Sequence, residues 1–313
     1  MGVFSTYTLA NWGYTIALLL CTLTQVQSQN YVDLLKVNAG TTPINTFDSS
    51  GNASVLNEYG LDANVPLKIN ECTTFLTGLS YENFQTKLFP EQKVQSLSGL
   101  ALKLGVSHNF NEKLTGTLIL LPKLSTNFGR IGHKDFQMGG IAFMKLKRKP
   151  NLNYRVGLYY NTESFGPLFV PLLGMYYLST NERFEITAML PIAADINYKL
   201  IRLLNVGVNF NGQTKSYHVT HINPGLKSAY VVRQTNELFA YLRFNLGKTC
   251  FVQTKVGQSF GRKFRVYNDD EKVDFALPLT FVNDKRRQLN SNFSNGMVFQ
   301  VVFVYRLPIP ASK

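Results

Sequence analysis

The chain has 313 residues, of which 45% are hydrophobic, 13% aromatic and 16% charged, with 32 Lys and Arg against 19 Asp and Glu for a net charge of +13. A soluble domain is about 25% charged, while a spanning helix needs about 20 apolar residues, about twice the length of the most apolar segment here, 15–23. Composition excludes a collagen, a disordered chain and a disulfide-rich mini-protein, and the basic charge comes without a basic helix, RNP-like strand or zinc finger, so no nucleic-acid partner is expected.

Residues 1–28 read as a secretory signal. An apolar core at 14–23 precedes a polar stretch ending Val26-Gln27-Ser28, with cleavage expected after Ser28. The start lacks the usual Lys or Arg. Residues 29–313 then form one domain. Cys21 leaves with the signal, and Cys72 and Cys250 are too few for a disulfide framework. No ligand spacing predicts a metal or a cofactor.

From there the dominant pattern is period-two alternation, the mark of strands. Over 59–69 one face carries Tyr59, Leu61, Ala63, Val65, Leu67 and Ile69, and the other Gly60, Asp62, Asn64, Pro66 and Lys68. Over 100–110 the apolar face is Leu100, Leu102, Leu104, Val106, His108 and Phe110. Weaker copies follow at 75–81, 114–120, 136–146, 154–160, 184–190, 206–210, 238–244 and 252–256. The last copy sets Phe299, Val301, Phe303 and Tyr305 on one face, with Val302 and Val304 breaking the pattern on the other. Strands are expected to begin near 31, 58, 73, 98, 114, 136, 153, 170, 183, 194, 204, 229, 250 and 297, fourteen in all. The weakest, at 31–38 and 194–200, leave twelve as the alternative.

Connections alternate in length. Short ones at 70–73, 109–113, 148–151, 179–183 and 247–248 carry the Asn, Gly and Pro chemistry of hairpin turns. Long ones are expected at 41–55, 86–97, 127–135, 163–167, 221–227 and 268–295. This asymmetry, with an even strand count, is that of a transmembrane antiparallel up-and-down β-barrel. A secreted β-sandwich binding module shows the same alternation and is the rival. Three features favour the barrel: low charge; aromatics at the ends of apolar faces (Tyr59, Tyr81, Phe110, Phe136, Tyr154, Tyr160, Phe184, Phe210, Phe244, Tyr305); and glycines on the opposite face (Gly60, Gly78, Gly105, Gly157, Gly207, Gly257).

Four short stretches carry a resemblance: Ser164-Phe165-Gly166-Pro167, Ala188-Met189-Leu190-Pro191, Asp195-Ile196-Asn197-Tyr198-Lys199-Leu200 and Asn205-Val206-Gly207-Val208. Through them the chain resembles the outer-membrane β-barrel proteins of Gram-negative bacteria, and among these an uncharacterised family known as a domain of unknown function. The resemblance implies an outer-membrane location, with membrane lipid, lipopolysaccharide and the barrel-insertion machinery as partners. It implies no particular activity. Such barrels often end on an aromatic residue, whereas here Tyr305 is followed by eight more residues.

Strand parity places Lys68, Lys103, Lys145, Lys147, Arg155, Arg243, Lys255 and Arg306 in the lumen against Asp62, Glu82 and Glu185, a net of +5. Rings of Lys and Arg favour anions in a pore, so a passive pore for small, preferentially anionic solutes is expected. The competing reading is a closed structural or ligand-binding barrel whose lumen charges pair. The connection 268–295 is a plug or ligand candidate, with Lys285, Arg286 and Arg287 placed to touch lipopolysaccharide phosphates; a hairpin extension bearing solvated charges is the plainer reading. His218 and His221 lie three apart and diverge on a strand. No G-x-S-x-G elbow or Gly-rich phosphate cradle is present, and the chain is not expected to be an enzyme.

Overall fold

The computed structural model describes residues 31–48, 51, 53–223, 226–278 and 280–308. The expected signal segment, 1–28, lies outside them. The strands are β1 (Tyr31–Thr46), β2 (Ala53–Lys68), β3 (Thr73–Thr86), β4 (Gln95–Asn109), β5 (Leu114–Thr126), β6 (Phe136–Lys149), β7 (Leu152–Glu163), β8 (Gly166–Leu178), β9 (Phe184–Leu190), β10 (Ala193–Lys199), β11 (Leu204–Asn223), β12 (Leu226–Asn245), β13 (Cys250–Asn268), β14 (Phe275–Leu277), β15 (Thr280–Val282) and β16 (Met297–Pro308). All but β14 and β15 form one wall, each strand antiparallel to the next. β16 joins β13 to β1, and β8 pairs with β9, so the sheet closes on itself.

The wall therefore has fourteen strands. The two weakest expected members are genuine: β1 pairs with both β16 and β2, and β10 with both β9 and β11. Closure also removes the sandwich. The tight turns are built on asparagine. Asn70 Oδ1 accepts from the amides of Cys72 and Thr73, and Asn111 Oδ1 from those of Lys113 and Leu114. This local closure fixes hairpin register without help from the rest of the chain. Cys72 and Cys250 are free thiols.

Leu61, Val65, Leu102, Leu104, Leu118, Val156, Leu173, Leu242 and Val301 all lie exposed on the outer face, forming an apolar belt. Tyr59, Tyr81, Phe110, Phe136, Tyr154, Phe244 and Tyr305 are exposed with them, as interfacial girdles require. Tyr160 and Phe184 are half-buried and stack on Phe169 and Tyr177. Val302 and Val304 point inward and pack on Phe251, which explains the break in the last alternation.

The barrel is not uniform along its axis. β9 and β10 have seven residues each, against twenty in β11 and in β12. Beyond Asn211, β11 has no partner in β10. It turns into the lumen and bridges β5 at His218↔Thr126. β12 follows it and β13 bends with them. The bend falls where the β12–β13 register slips between Gln234 and Asn236, opposite Gly261, whose φ of +59° is a conformation that only glycine adopts without strain. The outer ends of β11 and β12 thus form an infolded hairpin buried on both faces. One face carries Tyr217, Val219, Ala229 and Val231 against Leu56, Phe84, Leu97 and Phe264. The other carries Tyr230 and Val232 against Leu168, Val170 and Leu172 of β8.

Several expected loops are corrected by this. The connection at 163–167 is a turn at Ser164-Phe165, and the strands flanking 41–55 and 221–227 run on to Thr46, Ala53, Asn223 and Leu226. The outer ends of β11 and β12 pack on protein on both faces, so they lack the lipid-facing alternation that marks the rest.

Candidate functional site

A cavity of about 770 Å³ lies inside the barrel beneath the infolded hairpin. Its charged side is built on β2, β3, β4, β5 and β11. There Lys103 pairs with Asp62 and donates to Asn64 Oδ1 at 2.9 Å, and Lys215 pairs with Glu82, which also accepts from the Tyr217 hydroxyl at 2.8 Å. Lys123 lies 3.7 Å from Glu163. Its apolar side is Ile119, Leu121, Ile141, Leu168, Val170 and Ile192. Lys263 borders it from β13. The four lysines of the lining thus face Asp62, Glu82 and, behind Lys123, Glu163, which leaves an excess of one positive charge, at Lys263.

Above the cavity the lumen is filled by the apolar cluster around Phe84, Tyr217 and Phe264, underlaid by a buried network of ions. Arg233, 2% exposed, donates to Glu58 Oε1 at 2.9 Å and lies 3.9 Å from the Phe84 ring centre. Arg262 donates to Glu237 Oε1 at 3.3 Å and to Asn45 Oδ1 at 2.7 Å. On the opposite face of the hairpin, Glu163 Oε2 accepts from both the amide and the hydroxyl of Ser216 at 2.6 Å. The plug is therefore held by charges on both sides.

Below the cavity, side chains fill the lumen. Arg306 binds Asp33 at 2.8 Å and stacks 3.5 Å over Tyr31, whose hydroxyl donates to Glu185 at 2.7 Å across the barrel. Arg243 lies 3.7 Å from Asp195, which accepts from Tyr241 at 2.9 Å. Lys255 donates to Asn209 Oδ1 at 3.1 Å. Gly207 and Gly257 leave room for this filling: a Cβ there would lie 2.4 Å from Tyr241 and 2.5 Å from Phe239.

The eight basic residues singled out from sequence are thus scattered in depth. Lys103 lines the cavity. Lys68 sits at the short-turn end against Glu71. Lys145, Arg155, Arg243, Lys255 and Arg306 lie in the lower lumen, Lys145 opposite Arg155 in register, and Lys147, opposite Asn153, lies two pairs further toward the turn. The acids Asp33, Glu58, Glu163, Asp195 and Glu237 are interior too, and parity applied only to the clearest segments missed them. Lys123 and Lys215 were missed because the strands carrying them were ended at 120 and 210. Continued alternation through Gln213, Lys215, Tyr217 and Val219 was the signal available.

In the connection between β13 and β16, the hairpin β14–β15 docks on β8 at Ala276↔Leu168. The return segment lies along β13, with Leu289 N donating to Val266 O at 2.9 Å. The connection therefore patches the wall, and the lumen plug is the β11–β12 hairpin instead. Lys285 and Arg287 are exposed. Arg286 is not free for an outside phosphate: it binds Asp284 at 2.8 Å and lies 4.3 Å from the Tyr267 ring and 4.5 Å from that of Phe281.

One polar cluster has the connectivity of a hydrolase triad. His218 Nδ1 lies 3.0 Å from Asp135 Oδ1, and its Nε2 lies 3.0 Å from Ser228 Oγ. The Ser228 hydroxyl, however, donates to Asp269 Oδ2 at 2.8 Å, which leaves no proton for the imidazole to take. The cluster ties the plug to the 127–135 loop.

A closed antiparallel barrel with an apolar belt outside and a polar, ion-paired interior defines a transmembrane β-barrel protein. Within that class, the chain belongs to the family described as a domain of unknown function (DUF6268), which matches residues 38–305. No curated protein is similar in sequence. Among solved structures, the chain is similar to an outer-membrane channel from Pseudomonas putida F1, with a TM-score of 0.46, 7% identity and coverage of 90% of this chain and 97% of that one. A FadL homologue from Pseudomonas aeruginosa gives 0.44, 11%, 87% and 89%. The translocator domain of the autotransporter NalP from Neisseria meningitidis gives 0.35, 11%, 97% and 99%.

Proposed function

We propose that the protein is an outer-membrane barrel that admits small solutes, anions preferentially, to an internal site and passes them one at a time. The short turns lie in the periplasm and the long connections outside, after export directed by residues 1–28 and delivery by the insertion machinery. Lys285 and Arg287 face lipopolysaccharide. The observation that carries this reading is the cavity of about 770 Å³ with its excess of lysine, held between a plugged upper lumen and a filled lower one. Lysines lining a confined site favour anions, and the filling above and below supports binding and release over free flow. That filling also favours a second reading, a closed ligand-binding barrel.

Planar-bilayer recording under a salt gradient tests both. Small steps with an anion-selective reversal potential are expected, and K103Q with K263Q should reduce that selectivity. Large, weakly selective steps would refute the internal-site reading. Anion binding without conductance would favour the closed barrel.

A further inference from the structure

Beneath the plug, β11, β12 and β13 turn one polar face toward the cavity. Thr214 pairs in register with Gln234, and Gln234 with Lys263, so a hydroxyl, an amide and an ammonium stand in a row across three strands. Asn236 adds a second amide in the next row down, beside Gly212. One row above, the same face carries Ser216 and Val232, and there Val232 packs on β8. Packing stops below that row, and Thr214, Gln234, Asn236 and Lys263 border the cavity instead. Ser80 and Tyr159 bring two more hydroxyls from β3 and β7. None of these six side chains forms a hydrogen bond or ion pair with another described residue, and none of their polar atoms is sealed off. The other lysines of the lining differ. Lys103 is held by Asp62, Lys123 by Glu163 and Lys215 by Glu82. Their charges cancel, and among the described residues Lys263 is the lining cation without a carboxylate.

We infer that the cavity binds a small hydroxylated carboxylate, of the sugar-acid class, with its carboxylate on Lys263 and its hydroxyls on Thr214, Gln234 and Asn236. The chemistry of each group calls for such a molecule. One uncompensated ammonium in a confined site matches one negative charge. An amide side chain both donates and accepts, and so does a hydroxyl. Each therefore completes its bonding with an alcohol, which does the same. An apolar acid would satisfy Lys263 but would strip water from the neighbouring amides without replacing its hydrogen bonds. A neutral polyol would satisfy the amides and leave the ammonium unanswered. The ion pairs across the cavity extend the same mixture of donors and acceptors without adding charge. The volume of about 770 Å³ falls within the roughly 300–1,000 Å³ of ligand pockets. This inference rests on the internal anion site proposed above and adds to it the class of anion.

The test uses the full chain in lipid nanodiscs and three labelled six-carbon probes, gluconate, hexanoate and glucitol. Gluconate shares its carboxylate with hexanoate and its hydroxyls with glucitol. In equilibrium dialysis, corrected with empty nanodiscs, gluconate is expected to bind at least about tenfold more tightly than either, because a site built for hydrogen bonding rejects a ligand that lacks the partner. K263Q should erase the advantage over glucitol and keep that over hexanoate. Q234L with N236L should do the reverse. If that double variant does not fold, Thr214→Val carries this arm and should cut the advantage over hexanoate severalfold. Equal affinity for gluconate and hexanoate would overturn recognition of the hydroxyls and leave the anion site standing. Equal affinity for gluconate and glucitol would overturn the role of Lys263, and with it the anion preference beneath. Failure of gluconate to bind, with bilayer steps still anion-selective, would overturn this inference alone. The same failure with unselective steps would overturn both.

Discussion

Arg233 shows how much of this interior rests on single side chains. Its guanidinium is buried between Glu58 and the Phe84 ring, so removing its partner leaves a charge with little water to answer it. Breaking a buried pair costs about 3 kcal/mol or more, whereas replacing both partners by apolar groups of similar volume is often near neutral. Glu58→Gln is therefore expected to lower the urea midpoint by about that free energy, and R233M with E58L to recover most of it. A second case lies outside the membrane span. The hydrogen-bonded Arg286 guanidinium holds the Asp284 carboxyl below the ordinary carboxylate range. A depressed folded value means that the contact stabilises above the unfolded pKa of about 3.9 and is lost as pH falls through the lower folded value. Proteolysis of the connection between β13 and β16 should rise over that acid window in the wild type. Arg286→Ala, which also strips the contacts to Tyr267 and Phe281, should be cut faster at neutral pH. Such roles were not legible in the sequence. Arg286 and Arg287 are adjacent and alike there, and only the fold gives one a carboxylate and two rings and leaves the other in solvent.

Among the elements, the infolded hairpin decides what the barrel does with its lumen. Fourteen strands leave room for a water channel, and β11–β12 removes it by burying both of its faces. Replacing residues 217–231 by an Asn-Gly turn should leave the wall closed and raise single-channel conductance severalfold; an unchanged conductance would show that the constriction lies lower, among Arg243, Lys255 and Arg306. The hairpin was invisible to a search for alternation with one polar face because its two faces are both largely apolar. Tyr230, Val232, Ala229 and Val231 read as a continuous apolar run, the pattern of a strand covered on both sides. The connection 268–295, a plug candidate by its length and charge and a hairpin extension on the plainer reading, carries the hairpin β14–β15 and lies against β8 and β13. The loop with the strongest sequence signature patches the wall, and two strands that looked like ordinary wall fill the upper lumen.

For the whole molecule, the direction in which the greasy faces look settles the class. Leu104 is 40% exposed on a strand within a closed wall, so its contact is with lipid. Leu104→Arg should cost about 2–4 kcal/mol, as a cation near the bilayer midplane does, read as a shift in the urea midpoint of protein folded into vesicles. The strand count, the tight asparagine turns and the parity of the membrane-spanning stretches are local properties, set by alternation against lipid and by side chains that bond their own backbone. The sequence by itself therefore determined the barrel and which residues face inward along most of the wall. Only the tertiary structure decided how that interior is used: which lysines meet in one cavity, which acids neutralise the others, and that β11 and β12 leave the wall. Those outcomes depend on contacts between strands more than a hundred residues apart, such as Glu58 with Arg233 and Glu82 with Lys215. A period of two residues carries no information about partners at that distance.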